Sequence, residues 1–598
     1  FYMLKLLKKL KKKDFILIFI SLFIITLSVY LELELPTYTK ELTRLIQLAD
    51  SQIEDILLTG GKMLLFALGG TICTIISGYI SAYVSADLSY NVREDLFNHI
   101  IDLDEVEMKT MSTSTLITRT TNDITQIQMV MSMGLTMMFK APLMTIWGTI
   151  KVIHTSWQFS VATAVAVVVM VSVILLIMSL VLPRFKKVQK LTDDMNRIAR
   201  ENLTGIKVVR AFNAEKFEEE KFDQKNDELI HIQLFNRSLF SLMMPLMTLI
   251  MSGISLAVYW IGAYLLNAAD LLNKGDVLGD IVAFGSYGIM IIQAFMLLTM
   301  IFMMIPRAEV SAKRINDVLA IPVQIKEGKE EKETELKGDV EFNNVSFHFL
   351  EGENVLNDIA FHVKKGETLA IIGATGSGKS TIVNLVTRLL EATQGEIKID
   401  GQDIRSYSFD TLYQKIGFVQ QKAVLFSDSV RNNLLFGLKN QEKTDDELWE
   451  ALDIAQAKNF VGNLPNQLDA PIAEGGTNLS GGQKQRLSIA RALVRKPEIL
   501  IFDDSFSALD YKTDKELRKQ IATQLKGTTC IIVAQRIGTI RNADQILVLD
   551  DGQIVGHGKH EELLKTCSVY QEIALSQLSK EELEKGGDAY ATHETKSE

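Results

Sequence analysis

The sequence predicts two folds in one chain, a membrane domain of six apolar helices followed by an α/β domain. Three observations carry this. All 22 methionines lie at or before Met304, together with the long apolar runs. Beyond about residue 322, strands, turns and charged helices alternate as in a water-exposed domain. A strand, a glycine-rich loop and a helix follow one another around Gly373–Ser380. A mean hydropathy of +0.14 beside 23% charged residues is therefore an average over two regions. The 598 residues also exceed what one hydrophobic core organises. The predicted boundaries are a basic N-terminal segment at 1–13, a six-helix transmembrane domain at 14–320, a linker at 321–337, a nucleotide-binding domain at 338–575 and a polar tail at 576–598. The tail reads as a short packing helix or as disorder, having no long apolar run.

The chain opens with Lys5, Lys8, Lys9, Lys11, Lys12 and Lys13. A net charge of −10 gives no reason to expect nucleic acid as a partner, and these lysines abut the apolar run Phe15–Leu31. Juxtamembrane lysines favour the cytoplasmic side. No small-residue cleavage pattern follows, so the run reads as a retained membrane segment. The three cysteines imply no disulfide framework. No His, Cys, Asp or Glu cluster has metal-ligand spacing.

Crossing about 30 Å of hydrocarbon takes roughly 20 helical residues. Six stretches qualify: Asp14–Leu35, Met63–Ala86, Met137–Ser156, Phe159–Leu182, Leu239–Leu266 and Leu278–Ile305. Lys151 and Trp157–Gln158 mark an outer turn between the third and fourth. Six spans put both ends on the lysine-rich side. The polar, helical-looking connections Asp87–Leu135 and Pro183–Arg237 then both face the cytoplasm, with tips expected at Ser112–Asp123 and near Phe212–Lys221. They read either as arms that touch a cytoplasmic motor or as solvated hairpins. The methionines at 243–251 and 296–304 have two readings as well, ordinary helix packing or an adaptable cavity lining.

In the second half, Leu369–Ile372 reads as a buried strand running into Gly373, Ala374, Thr375, Gly376, Ser377, Gly378, Lys379 and Ser380, with Thr381 opening the next helix. This is G-x-x-x-x-G-K-[ST] in its strand–loop–helix context. Glycines let backbone N–H groups curl around phosphate oxygens, and the helix N-terminus adds a favourable dipole. Lys379 is expected at the β- and γ-phosphates of ATP and Ser380 on Mg2+. A second buried strand, Ile499–Phe502, ends in Asp503 and Asp504. Asp503 suits the Mg2+ shell and Asp504 lies where an acid would polarise water. Val345–Phe349 alternates like an edge strand, and Phe349 is the candidate to stack on adenine, with plain packing as the alternative.

The chain resembles an ABC-type exporter subunit over residues 14–575. The resemblance rests on Leu479, Ser480, Gly481, Gly482 and Gln483, which match the family signature, and on Ser507, Ala508, Leu509 and Asp510, which match its D-loop, beside the phosphate loop. It implies a six-span exporter domain fused to a P-loop ATPase domain with the family's helical insertion. It also implies head-to-tail pairing of two nucleotide-binding domains, each ATP lying between one phosphate loop and the other signature. Gln421 matches the residue that senses the γ-phosphate and joins Ser380 and Asp503 around Mg2+, directly or through water. Leu116–Asp123 and Glu201–Phe212 resemble the exporters' cytoplasmic loops, and Glu474–Gly476 the segment that meets them.

Two positions depart from the family pattern. Asp504 stands where a glutamate is usual, and without backbone adjustment its carboxyl group falls about 1.5 Å short. Misplacement near 1 Å can cost about 10²-fold in a catalytic step. Gln535 stands where a switch histidine is usual, and an amide supplies no imidazole charge. The site on this chain is therefore expected to bind ATP and turn it over slowly, an active site using Asp504 differently being the alternative. The intact signature points to a second half-transporter with the usual glutamate and histidine. The expected setting is a bacterial cell membrane with the nucleotide-binding domain in the cytoplasm. The expected cargo is a hydrophobic or amphiphilic compound, with lipid or lipid-linked molecules as the alternative. A nucleotide-gated channel or regulator is the reading from a different class.

Overall fold

The computed structural model describes residues 2–577 apart from 48–51, 110, 156, 270–272, 331–335, 350–351 and 439–442. Most of the 576–598 tail thus lies outside the described residues. The chain divides into two units, Phe1–Ile101 with Thr113–Ile321, and Asp102–Ser112 with Pro322–Glu598.

The first unit is helical. Its long helices are α1 (Lys12–Gln47), α2 (Ile53–Asp102), α3 (Ile124–Thr155), α4 (Trp157–Thr204), α5 (Glu215–Ala268) and α6 (Lys274–Leu319). Six stretches among the described residues are long and apolar enough to cross a membrane, the third beginning at Thr113 ahead of α3. Their lipid-type exteriors are apolar, as at Phe19, Leu65, Val168 and Leu256, all largely exposed. The interior gathers Val29, Leu33, Ala141, Met144, Phe159, Met247, Ile254, Phe284 and Ile291 into one cluster, with Phe159 stacked on Phe284 at 4.5 Å. At Gly288 a Cβ would come within 2.9 Å of Ile254, so α5 and α6 approach as closely as they do only over a glycine.

Charges inside the apolar helices are costly unless paired. Here Lys140 reaches Glu32 at 2.7 Å and Lys151 reaches Glu34 at 2.8 Å, joining α3 to α1. Lys40 reaches Asp280 at 2.6 Å and Arg44 reaches Asp276 at 3.2 Å, joining α1 to α6. Tyr287 donates to the Leu33 carbonyl at 3.1 Å. The methionine question divides by residue. Met247 is buried and Met243, Met251 and Met296 pack on the same cluster, whereas Met244 and Met300 are exposed.

The basic N-terminus folds onto α2. Lys9 pairs with Asp95 at 2.5 Å, and Lys11 and Lys13 each lie 3.5 Å from Asp87. These lysines and the polar end of α2 therefore share one side of the unit.

The expected tip at Ser112–Asp123 is corrected. Residues Asp102–Ser112 group with the second unit, where Val106 packs on an apolar cluster. Asp123 is instead drawn into the first unit: it ends a π-helical turn, Arg119–Asp123, accepts from Ser311 Oγ at 2.7 Å and lies 3.7 Å from Arg314. The other arm reverses at Phe212–Ala214, where Asn213 takes a positive φ of 53° between the helix Ile206–Ala211 and α5. Leu203, Val208, Phe212 and Phe217 around it are exposed.

Among the described residues the second unit contains two sheets. An antiparallel sheet runs β2 (Asn354–Val363), β1 (Val340–His348), β4 (Gln394–Ile399), β5 (Gln402–Asp403). The other runs β10 (Gln553–Gly558), β9 (Gln545–Asp550), β3 (Thr368–Gly373), β8 (Thr529–Val533), β7 (Ile499–Asp503), β6 (Ile416–Val419). It is parallel from β9 to β6, with β10 antiparallel at one margin. The edge assignment for Val345–Phe349 is overturned: β1 pairs with β2 on one side and β4 on the other. Alternation reports that one face is buried and is silent about neighbours.

The parallel strands are apolar on both faces, as buried parallel strands are. Leu369, Ile371, Ile501 and Val533 pack on α7 (Lys379–Val386) on one side. Ala370, Ile372, Phe502 and Ile532 join α8 (Gly481–Val494) and Leu517 of α9 (Tyr511–Gln524) on the other. Gly328 and Glu330 lie against this unit: Gly328 N–H donates to the Tyr407 carbonyl at 3.0 Å and Glu330 N–H to that of Ser406 at 2.9 Å. The last described helix, α10 (Ser568–Gln577), buries Tyr570 and Ala574 in the same core.

One buried charge cluster locks β6 to β7. Lys415 Nζ lies 2.7 Å from Asp400 and 3.0 Å from Glu498, and the Asp400 side chain is 0% exposed. Burial disfavours the Lys415 charge, but its two carboxylate partners outweigh that and hold its pKa above the usual value. Lys415→Met is expected to cost about 3–5 kcal/mol by removing the cation paired with the buried Asp400 carboxylate. Thermal unfolding of the full chain checks this, and adding Asp400→Asn is expected to recover most of the loss.

Candidate nucleotide site

Strand order assembles the site. Ligands in open α/β sheets bind beyond the carboxyl ends of the strands. Four adjacent strands deliver the singled-out residues there: β3 ends in Gly373, β8 leads to Gln535, β7 ends in Asp503 and Asp504, and β6 leads to Gln421. These residues are scattered over the sequence and adjacent only in the sheet.

A cavity of about 240 Å3 opens at this edge, lined by Thr375, Gly376, Gly378, Lys379, Ser380, Thr381, Gln421, Asp503, Asp504 and Gln535, with Val355 and Val533. Gly378 takes a φ of 94° as the cap of α7, and a Cβ there would lie 2.6 Å from Leu356 and 3.2 Å from the Val355 carbonyl. β2 therefore crosses closely over the loop, which explains how Val355 enters the site. Nothing in the sequence marked Val355, an aliphatic residue in an alternating strand.

Lys379 Nζ donates to the Gly373 and Ala374 carbonyls at 3.0 and 2.6 Å, holding the loop curled. Burial lowers its pKa, opposed by Asp504 and Asp503. Ser380 Oγ donates to Asp503 Oδ1 at 3.1 Å. A hydroxyl and a carboxylate at hydrogen-bond distance form an all-oxygen corner that suits Mg2+, the remaining ligands coming from phosphate and water. Among the described residues no group of three His, Cys, Asp or Glu could hold a metal by itself. Ser380 and Asp503 would hold the ion, which would offset phosphate charge.

Asp504 is the hub. Its Oδ2 accepts from Gln421 Nε2 at 3.0 Å and from Gln535 Nε2 at 2.9 Å. It is 7% exposed, and burial raises its pKa, opposed by hydrogen bonding from Gln421 and Ser507 and by the nearby Lys379. Its backbone is left-handed, with φ 47°. Asp tolerates that region better than most residues because its short polar side chain can bond locally. The conformation is held from both sides: Asp504 N–H donates to the Val533 carbonyl at 3.0 Å, and Ser507 Oγ to the Asp504 carbonyl at 2.8 Å.

The remaining predicted residues lie elsewhere. Phe349 is half-buried just past β1, edge-on to Phe347 at 4.9 Å, and is not among the residues lining the cavity. Leu479 packs against the core while Ser480 caps α8 in a reciprocal box: Gln483 N–H donates to Ser480 Oγ at 3.3 Å, and Ser480 N–H to Gln483 Oε1 at 2.8 Å. With Gly481 beside it, this makes an exposed helix N-terminus, a favourable setting for an anion. None of Leu479–Gln483 lines the cavity. After Ser507 and Ala508, Leu509 is buried and Asp510 caps α9, accepting from Thr513 N–H at 3.0 Å.

Comparison with known proteins agrees with this geometry. Residues 17–305 match the ABC transporter transmembrane region and residues 356–507 the ABC transporter family. The chain is 37% identical over 514 residues to an uncharacterised ABC transporter ATP-binding protein of Mycobacterium tuberculosis, covering 85% of this chain and 86% of the relative. It is 30% identical over 527 residues to a multidrug resistance ABC transporter ATP-binding and permease protein of Lactococcus lactis, covering 86% and 88%. It is 30% identical over 503 residues to an ATP-dependent lipid A-core flippase of Syntrophus aciditrophicus, covering 83% and 82%. The fold superposes on an ATP-bound bacterial Atm1-family ABC exporter with a TM-score of 0.77 at 23% identity, over 95% of this chain and 100% of that one. The chain belongs to the ABC transporter family, as a multi-pass membrane exporter with a cytoplasmic ATP-hydrolysing domain.

Proposed function

We propose that this chain exports hydrophobic or amphiphilic compounds as one half of an asymmetric pair, holding ATP at a slow site of its own and completing its partner's site. The observation that carries the reading is the Asp504 carboxylate bonded to two neutral amides, Gln421 and Gln535. A water-polarising acid needs a free lone pair aimed at the attacking water. Asp504 is short and buried, one of its two oxygens is shared by both amides, and Gln535 brings no charge to a transferring phosphoryl group. In this reading Lys379 and the loop hold the phosphates, Ser380, Asp503 and Gln421 surround Mg2+, and Phe349 turns to the adenine.

Ser480–Gln483 and the D-loop residues Ser507–Asp510 serve the second chain. Their position outside the cavity supports this, since a capped, exposed helix start has anion-binding capacity that this chain's own loop does not use. The exposed Phe212 and Phe217 at the reversal of the second arm fit docking on another subunit. The partner is a half-transporter with the glutamate and histidine that this chain lacks. For the cargo, the similarity to the Lactococcus multidrug protein supports an amphiphile, and that to the Syntrophus flippase supports a lipid as the second reading.

The test is uphill transport and cargo-stimulated ATPase in inverted vesicles, with this chain alone and after co-purification. Slow turnover alone and coupled uptake with the partner are expected. Fast turnover by the lone chain would sink the asymmetric pair, and nucleotide-dependent passive conductance would favour a channel. A lipid reporter in the same vesicles separates the two cargo classes.

Asp504→Glu is expected to raise turnover at this site, and further with Gln535→His. One added methylene restores reach, against a small cost for glutamate in the left-handed backbone. The gain is expected at tenfold or more, on the order of the penalty that a 1 Å misplacement imposes. Unchanged site-specific hydrolysis in both variants would remove side-chain reach as the cause.

A further inference from the structure

We propose that Gln577, the last residue of α10, is a positioning residue for Gln535. Its planar amide makes two bonds to one loop: Nε2 donates to the Gln535 carbonyl at 2.7 Å, and Oε1 accepts from Ile537 N–H at 2.9 Å. A rigid amide that bonds a carbonyl and the N–H two residues on fixes the peptide path between them. The loop carrying Gln535 is thus held at its start and its end by a residue from a separate helix.

The other side of the relay is equally short. Gln535 lines the cavity and places Nε2 at 2.9 Å from Asp504 Oδ2. Both ends of the clamp stand on fixed elements. Ile537 is 1% exposed and opens the helix Ile537–Ile540. α10 is anchored by Tyr570, buried and hydrogen-bonded to His560 Nδ1 at 2.7 Å, and by buried Ala574. A side chain meant to meet a γ-phosphate works best when a second layer of bonds holds its backbone, and Gln577 is that layer here. A plain helix-end anchor would make the same two bonds. It would affect the stability of α10 and leave nucleotide affinity at Gln535 untouched.

This inference rests on the reading that Gln535 faces the nucleotide, and a double-mutant cycle separates the two. The full-length chain in lipid nanodiscs is titrated with Mg-ATP against a fluorescent trinitrophenyl-ATP probe, with thermal unfolding followed in parallel. Gln577→Met keeps the length and removes both bonds. Gln577→Glu keeps the acceptor for Ile537 N–H and removes the donor to the Gln535 carbonyl. Gln577→Met is expected to weaken ATP binding by about threefold to tenfold, the range for one net hydrogen bond, without lowering the Tm. Gln577→Glu is expected to fall with it. In a Gln535→Ala background Gln577→Met is expected to add nothing, because residues acting as a unit are non-additive.

Full additivity with Gln535→Ala, or a lowered Tm with unchanged affinity, would overturn the clamp in favour of a structural anchor. If Gln535→Ala weakens binding and Gln577→Met does not, the clamp alone fails. If Gln535→Ala leaves ATP binding unchanged, the nucleotide-facing reading of Gln535 fails and takes the clamp with it.

Discussion

The order of the parallel sheet governs everything the second unit does. With β3, β8, β7 and β6 side by side, the phosphate loop, Gln535, Asp503 with Asp504, and Gln421 arrive at one edge. Exchanging any two of those strands would scatter residues that now lie within 3.1 Å of a partner. The order is secured by burial of both strand faces under helices, and by the Lys415 cluster between β6 and β7. Asp504 then sits where the carboxyl ends converge, and its two amide bonds are consequences of the sheet before they are features of chemistry.

The membrane unit obeys a different constraint. Apolar faces there gain nothing by leaving lipid, so helix packing depends on close approach and on paired polar groups. α1 carries the network: Glu32 and Glu34 toward α3, Lys40 and Arg44 toward α6. With Lys13 toward Asp87 of α2, these ion pairs tie α1 to three neighbouring helices.

Most of the residues that line the cavity were legible in the sequence because they stand in contiguous runs. Gly373–Ser380, Ser480–Gln483 and the pair Asp503–Asp504 are each local, and the capping of α8 by Ser480 and Gln483 is a four-residue pattern. What the sequence hid depends on residues far apart. Alternation in Val345–Phe349 identified a half-buried strand but not that β4 lies beside it. Asp123 fell within the expected arm tip, and only its approach to Ser311 and Arg314 shows it turned inward. Val355 and Gln577 carry no chemical signature at all, the first entering the site by strand crossing and the second by a helix end meeting a distant loop.

The most direct measurement follows the fate of the nucleotide on this chain itself. The co-purified pair is photolabelled with azido-ATP carrying label at either the α- or the γ-phosphate, cycled with cargo, and the nucleotide attached to this chain is identified. Retention of the γ-label here through many turnovers, with its loss from the partner, is the result expected of a site in which Asp504 is short and engaged. Equal loss of γ-label from both chains would contradict it.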